Sequence, residues 1–210
     1  MSDVFVNPER VARVAAALDQ RVGSVVAVCE ALNRRHNVSA VLRSCEAFGI
    51  HEVHLITPSF RPAYGTARGA ERWVVRTRFE HVADSFAALR ARGFRVFAAD
   101  LDADAVTPEA VPVDTPVAVL FGSEMLGVSA EARALCDGVI RVPMVGLTGS
   151  LNVSVSAAII LRVLAERRRA LVGADLAPEE KARFLKEWLD AEERAVRGEA
   201  ARTAAVHRET

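Results

Sequence analysis

This sequence of 210 residues predicts an α/β fold with a mainly parallel sheet, on three observations. Short β-branched runs alternate with stretches of helical periodicity, the order strand, helix, strand, helix, strand. The runs are continuously apolar, as in strands covered on both faces. The stretch 139–164, VIRVPMVGLTGSLNVSVSAAIILRVL, reads as a short strand, a glycine-bearing loop and a long helix. Gly146 and Gly149 allow close approach of a ligand to the backbone, and Asn152 is the natural N-cap. Such a loop offers free amides at a helix start, which suits a polar or anionic group. An ordinary strand-to-helix turn has the same appearance.

Taken in order, Asn7, Pro8 and Glu9 form a helix start: a capping side chain, proline at the first helical position, an acid in the first turn. This helix is expected to run to about residue 20, with Arg10 and Arg13 on one side. Residues 24–29 (SVVAVC) are a buried-strand run. No glycine occurs between Gly23 and Gly49, so the glycine-rich dinucleotide turn is absent. Asn37 is read as the cap of a helix that Gly49 ends. Its apolar positions Val38, Val41, Leu42, Cys45 and Phe48 follow helical spacing, and Arg43 falls almost opposite their centre.

Residues 51–57 form the next expected strand. The loop 58–72 is broken by Pro58, Pro62, Gly65 and Gly69 and mixes Tyr64 with Arg61, Arg68 and Arg72. That mixture suits stacking of a base and gripping of phosphates, or simply a solvated surface. A helix at 81–92 and a strand at 94–99 follow, then a polar connection at 100–115. The strand 117–121 (VAVLF) ends in Gly122-Ser123-Glu124-Met125-Leu126-Gly127, and Ser129 caps a short helix through Leu135. Glycine at the carboxyl end of a parallel strand, with an acid two residues on, stands where open α/β sheets hold ligands. The helix begun at Asn152 is expected to end in Arg167-Arg168-Arg169. A last helix covers 178–197, with Phe184, Leu185, Trp188 and Leu189 as a packing stripe, and the tail from Gly198 is expected to be loose.

Acidic and basic residues balance at 27 each, so bulk charge indicates no polyanion partner, although recognition needs only a local patch. Of the cations only Lys181 and Lys186 are lysines, and arginine suits bidentate phosphate contacts. Cys29, Cys45 and Cys136 lack metal-ligand spacing and read as reduced, buried thiols. His36, His51, His54 and His81 show no metal-ligand motif, so no metal is expected. The absence of a signal peptide and of a membrane-length apolar run points to a cytoplasmic protein.

Three pieces match one family together. They are Arg35-His-Asn-Val-Ser-Ala-Val-Leu-Arg43, Leu120-Phe-Gly-Ser-Glu124 and Ile140-Arg-Val-Pro-Met-Val-Gly-Leu-Thr-Gly-Ser-Leu-Asn-Val-Ser154. The chain resembles the SpoU/TrmH family of SPOUT RNA 2′-O-methyltransferases over about residues 22–169. The resemblance implies a SPOUT α/β-knot: a mainly parallel sheet with helices on both faces and a C-terminal deep trefoil knot. Such threading is a rare exception to the rule against knots. It implies an N-terminal helix at 1–21, a methyltransferase domain at 22–170 and a C-terminal helical extension at 171–210.

The resemblance further implies S-adenosyl-L-methionine as cofactor, tRNA as substrate, and a homodimer with active sites at the subunit interface. Ala99, Gly122, Val142, Met144, Leu151 and Asn152 match cofactor-contacting positions. Arg43 matches the arginine central to catalysis, with Asn37, Glu124, Ser150 and Asn152 as the remaining site positions. Arg10, Arg13, Arg61, Arg68, Arg72 and Arg168 are the expected RNA contacts. The implied activity is 2′-O-methylation of a D-loop guanosine in tRNA. The alternatives are another RNA site (ribosomal RNA or a tRNA wobble nucleotide) and a binding module without turnover. Thr148-Gly149 and Met125-Leu126 depart from the family pattern beside the site, and bear on substrate choice more than on chemistry.

Overall fold

Strand β1 (Val22–Glu30) lies inside the sheet with Val25, Val26, Ala27 and Val28 fully buried, as its unbroken apolar run requires. Around it a computed structural model, which describes residues 7–32, 35–57, 69–123 and 125–206, places β2 (Ile50–Ile56), β3 (Val75–Phe79), β4 (Arg95–Ala99), β5 (Val117–Phe121) and β6 (Gly138–Ile140). The sheet order is β3-β2-β1-β5-β4-β6. Every pairing between these strands is parallel. The helices are α1 (Pro8–Leu18), α2 (Arg35–Phe48), α3 (Val82–Ala91), α4 (Ala130–Ala134), α5 (Val153–Val172) and α6 (Pro178–Val206). The chain divides into two compact units, Val22–Asp175 and the joined terminal segments.

In the larger unit, strand alternation sorts side chains between two cores. Val25, Ala27, Val117, Val119 and Phe121 pack with Val41 and Leu42 of α2 and Ile160, Leu161 and Leu164 of α5. Val26, Val28, Ala118 and Leu120 face Phe86 and Leu89 of α3 and Ala132 of α4 on the other side. Helices thus cover both faces. Cys29 and Cys45 are buried and Cys136 half-buried. Burial pushes the Cys29 thiol up to about 12, which keeps it a protonated, inert packing group.

In the terminal unit, Asn7 caps α1 by accepting from the Glu9 amide. Helices α1 and α6 pack together, with Val14, Leu18, Phe184 and Trp188 buried. Arg10 Nε donates to Glu192 at 2.9 Å, and the Arg21 guanidinium lies 5.5 Å from the Trp188 ring centroid. Segments expected as separate extensions therefore form one unit.

Several sequence expectations are corrected. Asn37 is not a cap: α2 begins at Arg35, and Asn37 is 1% exposed within it. Strand β3 had no counterpart in the sequence reading. It is an edge strand whose alternation leaves Arg76 and Arg78 exposed and Val75, Thr77 and Phe79 half-buried, so no apolar run marks it. Helix α5 passes through its arginine triplet and stops at Gly173, where φ is 79°. The last helix runs to Val206 rather than leaving a loose tail at Gly198. The first helix stops at Leu18, and β2 spans 50–56 rather than 51–57. Among the described residues, no helix is long and apolar enough to cross a membrane.

Arg168 is corrected too, because it is only 8% exposed. Its Nε donates to Ser24 Oγ at 2.8 Å and its Nη1 to the carbonyls of Val113 and Asp114 at 2.7 and 3.0 Å. Arg167 donates to the carbonyls of Pro108 and Val111. These two side chains tie the 108–114 connection to α5. An RNA phosphate has no access to a guanidinium so enclosed.

Candidate active site

The carboxyl ends of β4, β5 and β6 and the start of α5 surround an open cavity of about 400 Å³. Parallel sheets place ligands at this end, where loops diverge and helix amides are free. Strand β4 delivers Ala99 and Asp100, and the Asp100 amide donates to the Ile140 carbonyl at 3.1 Å, holding the ends of β4 and β6 together.

Beyond β5 the chain turns at Gly122. A Cβ there would sit 2.2 Å from the Gly127 carbonyl and 2.3 Å from the Val128 nitrogen, so only glycine fits. The turn is closed by reciprocal 2.9 Å backbone bonds between Ser123 and Gly127, and Ser123 Oγ accepts from the Leu126 amide. Glu30 at the end of β1 accepts from the Ser129 amide at 3.0 Å, anchoring the start of α4.

The third wall is the segment leaving β6, in which Val142, Met144, Ser150 and Leu151 line the cavity. Asn152 then caps α5: its Oδ1 accepts from the Ser154 amide at 2.8 Å. Its Nδ2 turns the other way and donates to Asn37 Oδ1 at 3.4 Å. The helix start is thereby joined to α2, which carries Arg43.

All six residues singled out for cofactor contact (Ala99, Gly122, Val142, Met144, Leu151 and Asn152) line this one cavity, as does Ser150. Asn37 reaches it through Asn152. Arg43 is exposed on α2 and does not line the cavity of its own chain. Glu124, Arg61 and Arg68 lie outside the described residues. Arg13 and Arg72 are exposed, whereas Arg10 is engaged by Glu192. Asp100, Ser123, Arg141 and Ser156 also line the cavity, although none was among the expected site residues. Asp100 was detectable, being a carboxylate immediately after a strand. No group of residues suited to a metal ion occurs among the described residues.

Apolar walls, backbone amides and a few polar side chains make a receptor for a nucleoside-sized ligand, open enough to admit a second reactant. An all-parallel sheet with a cavity at its carboxyl edge defines a ligand-binding α/β protein. The chain belongs to the SpoU rRNA Methylase family, which matches residues 24–162. It is 39% identical over 183 residues to the tRNA (guanosine(18)-2′-O)-methyltransferase of Thermus thermophilus, covering 84% of this chain and 94% of that one. The Escherichia coli K12 protein of the same name is 36% identical over 169 residues, covering 80% and 73%. Among solved structures, the Aquifex aeolicus TrmH/SpoU tRNA modifying enzyme superposes with a TM-score of 0.79 at 28% identity, covering 88% of this chain and 96% of that one. A structure described by the 2-OH methylation of C/U34 on tRNA gives 0.57 at 27% identity, covering 71% and 97%.

Proposed function

We propose that this protein is an S-adenosylmethionine-dependent tRNA 2′-O-ribose methyltransferase acting on guanosine 18 of the D-loop, and that it works as a homodimer. The observation that carries the reading is the convergence of Ala99, Gly122, Val142, Met144, Leu151 and Asn152 on one cavity. The names of the relatives supply the substrate. The guanosine-18 relative from Thermus thermophilus aligns with 84% of this chain, against 71% for the C/U34 structure, which favours the former site.

The cavity fits S-adenosylmethionine in size and in lining. The half-buried walls of Ala99 and Val142 suit an adenine held by shape and backbone bonds, and Asp100, Ser123 and Asn152 offer polar partners for ribose and amino-acid groups. When bound, the cofactor supplies a sulfonium-activated methyl group. The residues of the chain do the positioning. Asn152 fixes the start of α5 against α2 through Asn37, so the cavity wall and the arginine-bearing helix are held in register. Arg43 presents a planar cationic fork of five donors and no acceptor. It therefore acts as a fork-shaped clamp on the phosphate beside the target ribose and on the charge that develops on the 2′-oxygen.

The dimer supplies what one chain lacks. Arg43 is exposed and absent from its own cavity, so it is offered to the cavity of a second copy. In the loops that edge the cavity Met125 and Leu126 are 87% and 88% exposed, and Val145 and Leu147 are fully so. Val155 and Ile159, one turn apart on α5, are exposed as well. Apolar surface of this extent is what a two-fold partner covers. The threading implied by the resemblance, and residence in the cytoplasm, belong to the same reading.

The test is methyl transfer from labelled cofactor to tRNA transcripts, with the modified ribose mapped by mass spectrometry. Label at the D-loop guanosine, lost when that nucleotide is replaced, is the expected result. Label at the wobble position or in ribosomal RNA would move the substrate, and no label in any RNA would remove the activity.

A further inference from the structure

Besides Arg43 and Arg141, which are exposed at α2 and at the cavity, the arginines of the larger unit with described side chains fall into two groups. Arg90, Arg92, Arg133, Arg162, Arg167, Arg168 and Arg169 bond to carboxylates or carbonyls of the chain, and Arg95 stacks 5.1 Å from the Phe97 ring centroid. Arg72, Arg76 and Arg78 are exposed and form no ion pair with any described residue. They follow one another along the outer edge of the sheet, Arg72 closing a short turn at 70–72 and the other two on β3.

Register decides which way they face. Arg76 pairs with Val53 and Arg78 with Leu55, and both partners belong to the core beneath α2 and α5. Paired residues of parallel strands lie on the same face. Arg76 and Arg78 therefore stand on the sheet face that carries α2 and its Arg43. On the opposite face, Thr77 beside His54 bonds to Glu52, which also takes the Arg92 guanidinium. Glu52, opposite the start of β3, is thus turned to the other face and satisfied by other partners.

We infer that Arg72, Arg76 and Arg78 form a binding strip for the phosphate backbone of the RNA substrate, outside the cavity and on the side of the sheet that bears Arg43. This rests on the RNA-methyltransferase reading and adds a site to it. Residues two apart on a strand are about 6.7 Å apart on one face, a spacing that lets each guanidinium take a separate phosphate. Four strand spacings, about 19 Å, separate β3 from β4. That is short beside a folded RNA with one ribose in the cavity, so its flanking backbone reaches the edge. Forked donors with no ion pair to a described residue bind phosphate without first breaking such a pair.

The competing explanation is that the two arginines only guard an open edge against pairing with other chains. Full-length wild-type protein, Arg76→Gln/Arg78→Gln and Arg76→Lys/Arg78→Lys are titrated with a tRNA transcript over a range of salt concentrations. The same proteins are assayed for methyl transfer at saturating tRNA and for light scattering. Neutralising both positions is expected to weaken tRNA binding about tenfold at moderate salt and to lower the slope of log K against log salt by about 1.5. Turnover at saturating tRNA stays at the wild-type level, and the lysine pair keeps the wild-type slope. An unchanged slope and affinity in the glutamine variant would overturn the strip, and increased self-association with that result would establish the guarding role instead. If the glutamine variant shows the predicted loss of slope while the wild type binds tRNA but transfers no methyl group, the activity reading fails and the strip stands. If it binds no tRNA at all, both fall.

Discussion

Asn152 and Asn37 meet across 3.4 Å, with Asn152 Nδ2 as donor and Asn37 Oδ1 as acceptor. The same Asn152 uses its Oδ1 to cap α5, so one side chain sets both the start of the helix and its attachment to α2. The two jobs are separable by substitution. Asn152→Asp keeps the capping oxygen and loses the donor, whereas Asn152→Ala loses both. The alanine variant is expected to unfold about 1 kcal/mol more easily and the aspartate variant by less. Both should lose methyl transfer, as thermal melts and labelled-methyl assays on the same preparations would reveal. Full activity in Asn152→Asp would mean that the link to Asn37 does not matter.

Arg43 is exposed, so its replacement should leave folding untouched. Arg43→Lys keeps the charge but not the fork, and turnover is expected to fall about 100-fold at unchanged melting temperature. Near-normal turnover in the lysine variant would refute the clamp.

The proposed sharing of sites between two copies predicts complementation. Arg43→Ala alone and a cavity-filling Val142→Trp alone should both be inactive. Mixed and allowed to exchange subunits, they regain about a quarter of wild-type activity, because half the dimers are hybrids with one sound site of two. Mixtures that stay inactive after exchange is verified would show that Arg43 serves its own chain.

Gly122 has no room for a methyl group, since the clash is with the backbone at Gly127 and Val128. Gly122→Ala should cost about 3 kcal/mol or more and abolish cofactor binding, measured by denaturant melts and calorimetry. Arg168→Gln tests whether this buried guanidinium is structural. With the carbonyls of Val113 and Asp114 left without their charged donor, stability should fall by about 3 kcal/mol, while the salt dependence of tRNA binding stays as it was.

Glu52 gives the fold a dependence on acid. Burial would raise its carboxyl, but hydrogen bonds from His54 and Arg92 outweigh that and hold it down to about 2. A carboxylate held below its unfolded value stabilises the fold above the unfolded pKa, and that contribution is lost as pH falls from about 4.5 toward 2. Urea midpoints followed down this window should drop more steeply for wild type than for Glu52→Gln. Parallel curves would remove Glu52 as the cause.

By itself the sequence determined the layers and the residues that converge on one cavity. Continuous apolar runs such as 117–121 can only be strands covered on both faces, and the spacing of Val38, Val41, Leu42 and Cys45 fixes the buried side of α2 and hence the outward aim of Arg43. Those are local properties, written in the order of residues. Tertiary structure decided the rest, because partners distant in sequence do not announce themselves. Arg168 looks like a surface cation until the Val113 and Asp114 carbonyls close on it. Asn37 looks like a cap until Asn152 arrives from 115 residues away. Strand β3 is a strand only because β2 lies beside it to accept its register, and at a half-covered edge the hydrogen-bonding neighbour, not the apolar pattern, makes the strand.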